Sequence, residues 1–443
     1  MRDSRKTQLS IPYGSGFETV LVDKARTIVT LAPGHTKAPG EGQSTKTKTE
    51  ASSQEAELSI LKSALESPSG ALRLRELARG KSQVVILTSD HTRPVPSRLT
   101  LPLMLHEIRE GNPKANITII IGVGCHRGTT IKEMEEKFGK ELCARERILN
   151  HDPHDQENLV SMGVLPSGGE LILNRMAVEA DLLVADGFIE PHQFAGFSGG
   201  PKSVLPGIAS FKTVLFSHNA EFTVHPKARP GSLAGNPFRA DMLHAARVAK
   251  LAFILNVTLT EDKRISGAFA GDLEEAHNQG CDFVLSQSAV KGVISPIVIT
   301  SNGGYPLDQN IYQSTKSIMQ ADLICEDGGV IIAVNECRDG HGSLSFLESF
   351  KNAPSLKDLL SDIESRSKDE TIPDQWVIQL TASILLRRRV IMVTKANVEE
   401  VEALGMRKAE SLEEALKMAD ELSGNPLAPI SVLPNAVAVV IRP

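Results

Sequence analysis

The chain has 443 residues, of which 41% are hydrophobic and 23% charged, enough material for two or three domains with buried cores. A net charge of −6 lacks the basic footprint of a phosphate-backbone binder, and no apolar run reaches the roughly 18 residues of a membrane span. The five cysteines are scattered without a CxxC spacing and the opening MRDSRKTQLS has no apolar core; this argues against a disulfide framework, a zinc ribbon and a secretory signal, and a reducing cytoplasm is the expectation.

Residues 8–31 alternate apolar and polar side chains between glycine turns and predict a β-hairpin or meander. Residues 32–57 are rich in Gly, Pro, Thr and Lys and predict a flexible surface loop, with His35 incidental. Leu58 to Arg79 has helical spacing. Gln83 to Thr88 (QVVILT) is a β-branched run suited to a central parallel strand. It delivers Asp90-His91-Thr92-Arg93-Pro94 at its carboxyl end, where parallel sheets expose ligand loops. Arg93 offers a planar fork for a carboxylate or phosphate, and reads equally as a surface arginine beside a helix cap. Leu99 to Glu110 predicts an amphipathic helix. Asn116 to Val123 (NITIIIGV) is the next strand, followed by Gly124-Cys125-His126-Arg127 and a helix from Ile131. This strand–loop–helix rhythm predicts an α/β protein with mostly parallel sheets. His151, Asp152, His154 and Asp155 have the look of a metal cluster, although a hydrogen-bonded turn explains them too.

The most unusual stretch is Asp186 to Asn219, DGFIEPHQFAGFSGGPKSVLPGIASFKTVLFSHN. A buried run, Ala180 to Ala185, leads into it. Its five glycines and three prolines argue against regular structure from Gly187 to about Pro206. His192, Lys202 and His218 supply two imidazoles and an amine. Imidazole carries protons near neutrality or ligates metal, and a desolvated lysine forms covalent bonds. Ser198, Gly199 and Gly200 could present backbone N–H groups to an anion. Beyond it, residues 219–247 hold another Gly/Pro loop with Asn236 and Pro237. Ala252 to Leu259 predicts a strand, Glu274 to Leu285 a helix, and 286–296 a hinge. Strands are predicted at 297–300, 328–336, 389–394 and 436–441, with a helix over 308–321 that places Gln313 and Lys316 on one face. The boundaries that follow are a first domain of 1–290, with 425–443 returning to it, and a second of 297–420.

The pattern P-H-x-x-A-G-F-S-G-G-x-K-x-x-x-P-G followed by S-H-N resembles the nickel-dependent lactate racemase family, the nickel-pincer 2-hydroxyacid racemases. D-x-T-R-P at Asp90, G-x-H-R at Gly124 and Y-Q-x-x-K at Tyr312 are similar to that family too. Cys125 stands where threonine or leucine is more usual. The resemblance implies two α/β domains with an active-site cleft between them. It implies that Lys202 tethers a nickel-pincer nucleotide, that His218 ligates the nickel, and that His126 and His192 are the acid/base pair. It places Asp90, Thr92, Ser198, Gly199, Gly200 and Trp376 at the cofactor. Arg93, Tyr312, Gln313 and Lys316 fall at the substrate. The activity implied is racemisation or epimerisation of a 2-hydroxy acid through a 2-keto acid, by proton-coupled hydride transfer. The implied partners are a small 2-hydroxy acid and, transiently, cofactor-making enzymes, with neither nucleic acid nor membrane; an oligomer is compatible. Two alternatives stand beside this reading. One is a metal-dependent hydrolase built on His151, Asp152, His154 and Asp155. The other is a non-catalytic hydroxy-acid binding homologue.

Overall fold

The computed structural model describes residues 6–32, 50–260 and 262–442. The chain divides into two compact units. One comprises His35–Ser217 and His225–Gln287, the other Met1–Gly34, His218–Val224 and Ser288–Pro443. Each is an α/β unit on a six-stranded sheet.

In the first unit the strand order is Ile265–Gly271, Leu251–Leu259, Leu182–Phe188, Gln83–Ser89, Asn116–Gly122, Arg147–Asn150. All neighbours are parallel except the first pair. The runs VVILT and ITIII are buried on both faces, as central parallel strands require. Leu101, Met104, Leu105 and Ile108 of the helix Ser97–Gly111 line the core against Ile86, Ile119 and Val184. The helix predicted from Leu58 starts earlier, at Glu50. Its opening EASSQEA has few large apolar side chains and so reads as a loop, yet Ala, Glu and Gln are good helix formers. Glu57 Oε1 then accepts the Ile265 amide at 2.7 Å and ties the helix to the sheet. The rest of the loop expectation, with His35, lies outside the described residues.

In the second unit the order is Arg407–Ala409, Arg389–Val393, Cys325–Val334, Ser295–Thr300, Ile430–Leu433, Ile28–Thr30, all parallel. The hairpin of Lys6–Tyr13 and Gly16–Asp23 forms as expected and packs Ile11, Val20 and Val22 into this unit's core. The expected boundaries are therefore corrected at both ends. Residues 6–32 belong with the carboxyl-terminal half, because Ile28 pairs with Ile430 and buried Arg26 reaches the Ala428 carbonyl. Residues 425–443 do not return to the amino-terminal half: Ile430–Leu433 lies between two strands of the second sheet, and Val440–Arg442 pairs with Ala289–Lys291. The strand expected over 436–441 is a short 3-10 turn at Ala436–Ala438 and only then a strand. Among the described residues no helix is long and apolar enough to cross a membrane.

Candidate active site

In the first unit, three loops leave the carboxyl ends of adjacent strands. Asp90, Thr92 and Arg93 follow Gln83–Ser89. His126 follows Asn116–Gly122 on one side, and His192 follows Leu182–Phe188 on the other. This is the edge where parallel sheets place ligands.

Asp90 is buried and His126 is 47% exposed, and Asp90 Oδ2 lies 2.6 Å from His126 Nδ1. Burial raises the Asp90 carboxyl, but the bond and charge of His126, with Thr92 and Arg93, outweigh it and hold the group at about 2. An ionised carboxylate only accepts, so His126 donates from Nδ1 and its Nε2 is left for other chemistry. The other oxygen, Oδ1, accepts the Thr92 amide at 2.9 Å and the Thr92 hydroxyl at 2.6 Å. Arg93 Nη1 donates to that same hydroxyl at 3.0 Å. Asp90 and Thr92, expected at a cofactor, bond His126 and Arg93 with their side chains. Lys137, on the helix Ile131–Phe138, donates to the Arg93 carbonyl at 2.8 Å, and burial lowers it to about 8. Nothing in the sequence marks Lys137 for this place.

His192 opposes Gly196 in a two-residue ladder, and its Nδ1 accepts the Ala195 amide at 3.3 Å. The neutral ring therefore carries its proton on Nε2. When both rings are neutral these bonds make the tautomers complementary, with a lone pair on Nε2 of His126 and an N–H on Nε2 of His192.

Lys202 sits in the 3-10 turn Gly200–Ser203. Burial pushes its ammonium down to about 7; Arg93 adds repulsion and Glu190 opposes it. Two of the three backbone amides expected to face an anion already have partners within the chain. The Ser198 amide donates to the Glu190 carbonyl at 2.9 Å and the Gly200 amide to Asn256 Oδ1 at 2.7 Å. The Ser198 hydroxyl bridges the Phe188 carbonyl and the Glu190 amide. Gly199 and Gly200 are needed for shape. Both have left-handed backbone, and a Cβ would stand 2.6 Å from Asn256 Oδ1 at the first and 2.5 Å from the His277 ring at the second.

Sequence reasoning missed this floor. Buried His277 donates from Nε2 to the Ser198 carbonyl at 2.9 Å and accepts from Arg239 at 2.9 Å. Burial, with Arg239, lowers His277 to about 3, so it is neutral. Asn256 did carry a signal, as a lone amide in the apolar run AFILNVTL; His277 carried none. Asn236 is a buried helix cap that also donates to the Phe194 carbonyl at 2.8 Å.

His218 belongs to the second unit, where its ring meets the Trp376 ring at 4.7 Å between centroids and 54°. Gln313 and Lys316 are half-buried on one face of the helix Ile311–Asp322. The Tyr312 hydroxyl, expected at the substrate, donates to Asp374 at 3.0 Å.

The cluster at 151–155 is a turn. His151 bonds the Ala209 carbonyl at 2.9 Å, Asp152 accepts the His154 amide at 2.9 Å, and Asp155 accepts from Asn158 at 2.6 Å. Among the described residues no group of three or more His, Cys, Asp or Glu is arranged to hold a metal.

Two α/β units on mostly parallel sheets, one of them carrying a carboxylate-bonded imidazole, a second imidazole and a depressed lysine in loops at and beyond its strand ends, define a protein of the α/β class with groups suited to acid–base chemistry. Residues 37–231 match the lactate racemase N-terminal domain model and 290–441 the lactate racemase C-terminal domain model. The chain belongs to the lactate racemase family. It is 53% identical over 384 residues to the lactate racemase of Thermoanaerobacterium thermosaccharolyticum, covering 86% of this chain and 90% of that one. It is 45% identical over 387 residues to the lactate racemase of Lactiplantibacillus plantarum, covering 87% and 91%. The solved lactate racemase apoprotein of T. thermosaccharolyticum superposes with a TM-score of 0.91 at 48% identity, over 99% of this chain and 100% of that one. A Thermotoga maritima protein at 18% identity and TM-score 0.61, over 90% and 100%, shares the fold.

Proposed function

We propose that this protein racemises lactate or a close 2-hydroxy acid, with His126 and His192 as the acid/base pair. The carrying observation is the Asp90–His126 pair, a carboxylate that fixes one imidazole with Nε2 outward. In neutral rings His126 offers a lone pair for the substrate hydroxyl proton, and His192 offers an N–H for an oxygen. Turnover in either direction exchanges those roles. Arg93 and Lys316 are the cations for the substrate carboxylate, and Gln313 is the neighbouring amide donor. Tyr312 acts behind them, through Asp374.

The residues fit a nickel-pincer nucleotide. An amine held near 7 is nucleophilic at neutral pH, so Lys202 is the tether, and the buried His218 imidazole is a nitrogen donor for nickel. Trp376 lies against that imidazole. Such a nucleotide supplies an electron-poor centre that accepts and returns hydride, which the side chains of a protein cannot do. The chain's own groups hold the substrate, move the hydroxyl proton and keep the ring nitrogens aimed. None of the five cysteines is in a disulfide, which suits a cytoplasmic enzyme.

The test is protein made together with the cofactor-making enzymes. Intact mass with an adduct on Lys202, about one nickel per chain, and interconversion of D- and L-lactate are expected. His126→Ala and His192→Ala should fold and keep nickel but lose turnover. Full turnover in both variants rejects the assignment.

A further inference from the structure

Asp374 stands before the helix Gln375–Leu385 with φ 63° and ψ −1°. This left-handed conformation is uncommon for a residue with a Cβ, although aspartate tolerates it better than most. An aspartate at that position ordinarily caps its own helix, and Asp374 makes no such bond. Its carboxylate turns to three hydroxyls instead. Tyr312 donates to Oδ1 at 3.0 Å, and Ser343 and Ser345 donate to Oδ2 at 2.6 and 2.5 Å. Tyr312 lies in the first turn of Ile311–Asp322, and Ser343 caps Leu344–Asn352. One carboxylate therefore fastens the starts of three helices. Two residues on, Trp376 rests its ring on His218.

We propose that Asp374 is a positioning residue for metal binding. By holding Trp376 it sets the plane of the His218 imidazole, and with it the direction of the nitrogen that meets nickel. A left-handed residue that forgoes its own cap to reach hydroxyls at the starts of two other helices is serving their mutual alignment. Outer partners of a metal-ligating histidine set its orientation in this way. The proposal rests on the reading of His218 as a nickel ligand.

Trp376 is the single tryptophan of the chain, so intrinsic fluorescence reports on this contact directly. Full-length parent, Asp374→Gly, Asp374→Asn and Tyr312→Phe are compared. Glycine takes the left-handed backbone without strain, so Asp374→Gly keeps the helix start while removing the carboxylate; circular dichroism confirms its fold. The expected result is a shifted Trp376 emission maximum and greater acrylamide quenching in Asp374→Gly. Tyr312→Phe should show a smaller change, and Asp374→Asn, which keeps an acceptor oxygen, should stay near the parent. In protein made with the cofactor enzymes, Asp374→Gly should lose nickel to a chelator about 10–100-fold faster than the parent. Unchanged emission and quenching in Asp374→Gly overturn the proposal, and so does parental nickel retention beside altered fluorescence. A parent that takes up no nickel overturns the reading of His218 and the proposal with it, and its own metal content identifies that case.

Discussion

Asp90 Oδ2 and His126 Nδ1 are 2.6 Å apart, and the second carboxylate oxygen is held by both donors of Thr92. The carboxylate therefore cannot drift, and the ring it holds cannot flip without breaking a charge-assisted bond. Asp90→Asn keeps the shape and loses the charge. It also lets the wrong tautomer of His126 compete. Turnover in both directions should fall about 10²–10⁴-fold, with KM little changed and the fold intact. Chiral chromatography of initial rates measures this. A loss smaller than about tenfold would remove Asp90 from the acid/base machinery.

The same pair has a signature in acid. The folded Asp90 sits at about 2, against about 3.9 in an unfolded chain. A depressed carboxylate adds stability above the unfolded value, and that stability is lost as pH falls through the folded one. Urea midpoints of the parent should therefore drop between about pH 4 and pH 2. Asp90→Asn should show a shallower acid limb over that window. Parallel curves for the two proteins would contradict the bond.

Lys202 is held near 7 chiefly by burial, against about 10.4 for an ordinary lysine. Above about pH 7 its amine is mostly neutral. At pH 7.5 a limiting dose of a small acylating reagent should mark Lys202 ahead of the exposed lysines, as peptide mapping would read. The stability sign follows. Between the two values the unfolded chain binds the extra proton, so the cost of burying this amine falls as pH rises. Lys202→Met should thus gain most stability near pH 6 and least near pH 10, by thermal melts.

Much of this arrangement was legible in the residues. The β-branched runs QVVILT and NITIIIGV specify central parallel strands because both faces must be buried. Once those strands are fixed, Asp90, His126 and His192 necessarily fall at their carboxyl ends. What could not be read was who holds whom. The Asp90–His126 bond joins residues 36 apart and His277–Ser198 joins residues 79 apart, and no periodicity encodes such pairs. Asp374 also escaped notice, since nothing local marks a left-handed aspartate. The domain boundaries were misplaced because an edge strand as short as Ile28–Thr30 has too few side chains to reveal which sheet it joins.

Gly200 joins the two kinds of information. Its left-handed φ of 51° alone disfavours a side chain, and an added Cβ would also stand 2.5 Å from His277 Cδ2. Gly168 has a left-handed φ of 97° with nothing within 4 Å of its Cβ position. Gly168→Ala should cost only the backbone term, about 1–2 kcal/mol. Gly200→Ala adds the displacement of a buried imidazole bonded on both nitrogens, so it should cost more, about 3 kcal/mol or above. It should also shift the pH at which Lys202 becomes reactive, because the floor of its loop has moved. Equal costs in chemical denaturation would show that the His277 contact yields freely.

The cluster at 151–155 separates a metal centre from a turn. His151 is buried and bonds the Ala209 carbonyl, and burial lowers its pKa, so it is a neutral structural ring. Asp155 only organises the turn with Glu157 and Asn158. His151→Ala leaves a buried carbonyl without its donor and should cost about 1–3 kcal/mol. Asp155→Ala, at an exposed turn, should cost no more than about 1 kcal/mol. Neither should change nickel content or racemisation per folded molecule, because the His151 ring is bonded to the Ala209 carbonyl and Asn174, and Asp155 to its own turn. A hydrolase would behave in the opposite way, with Asp155→Ala stripping its metal and its activity while leaving stability alone. Metal analysis and melting of these two variants decide between a turn and a centre without any substrate in hand.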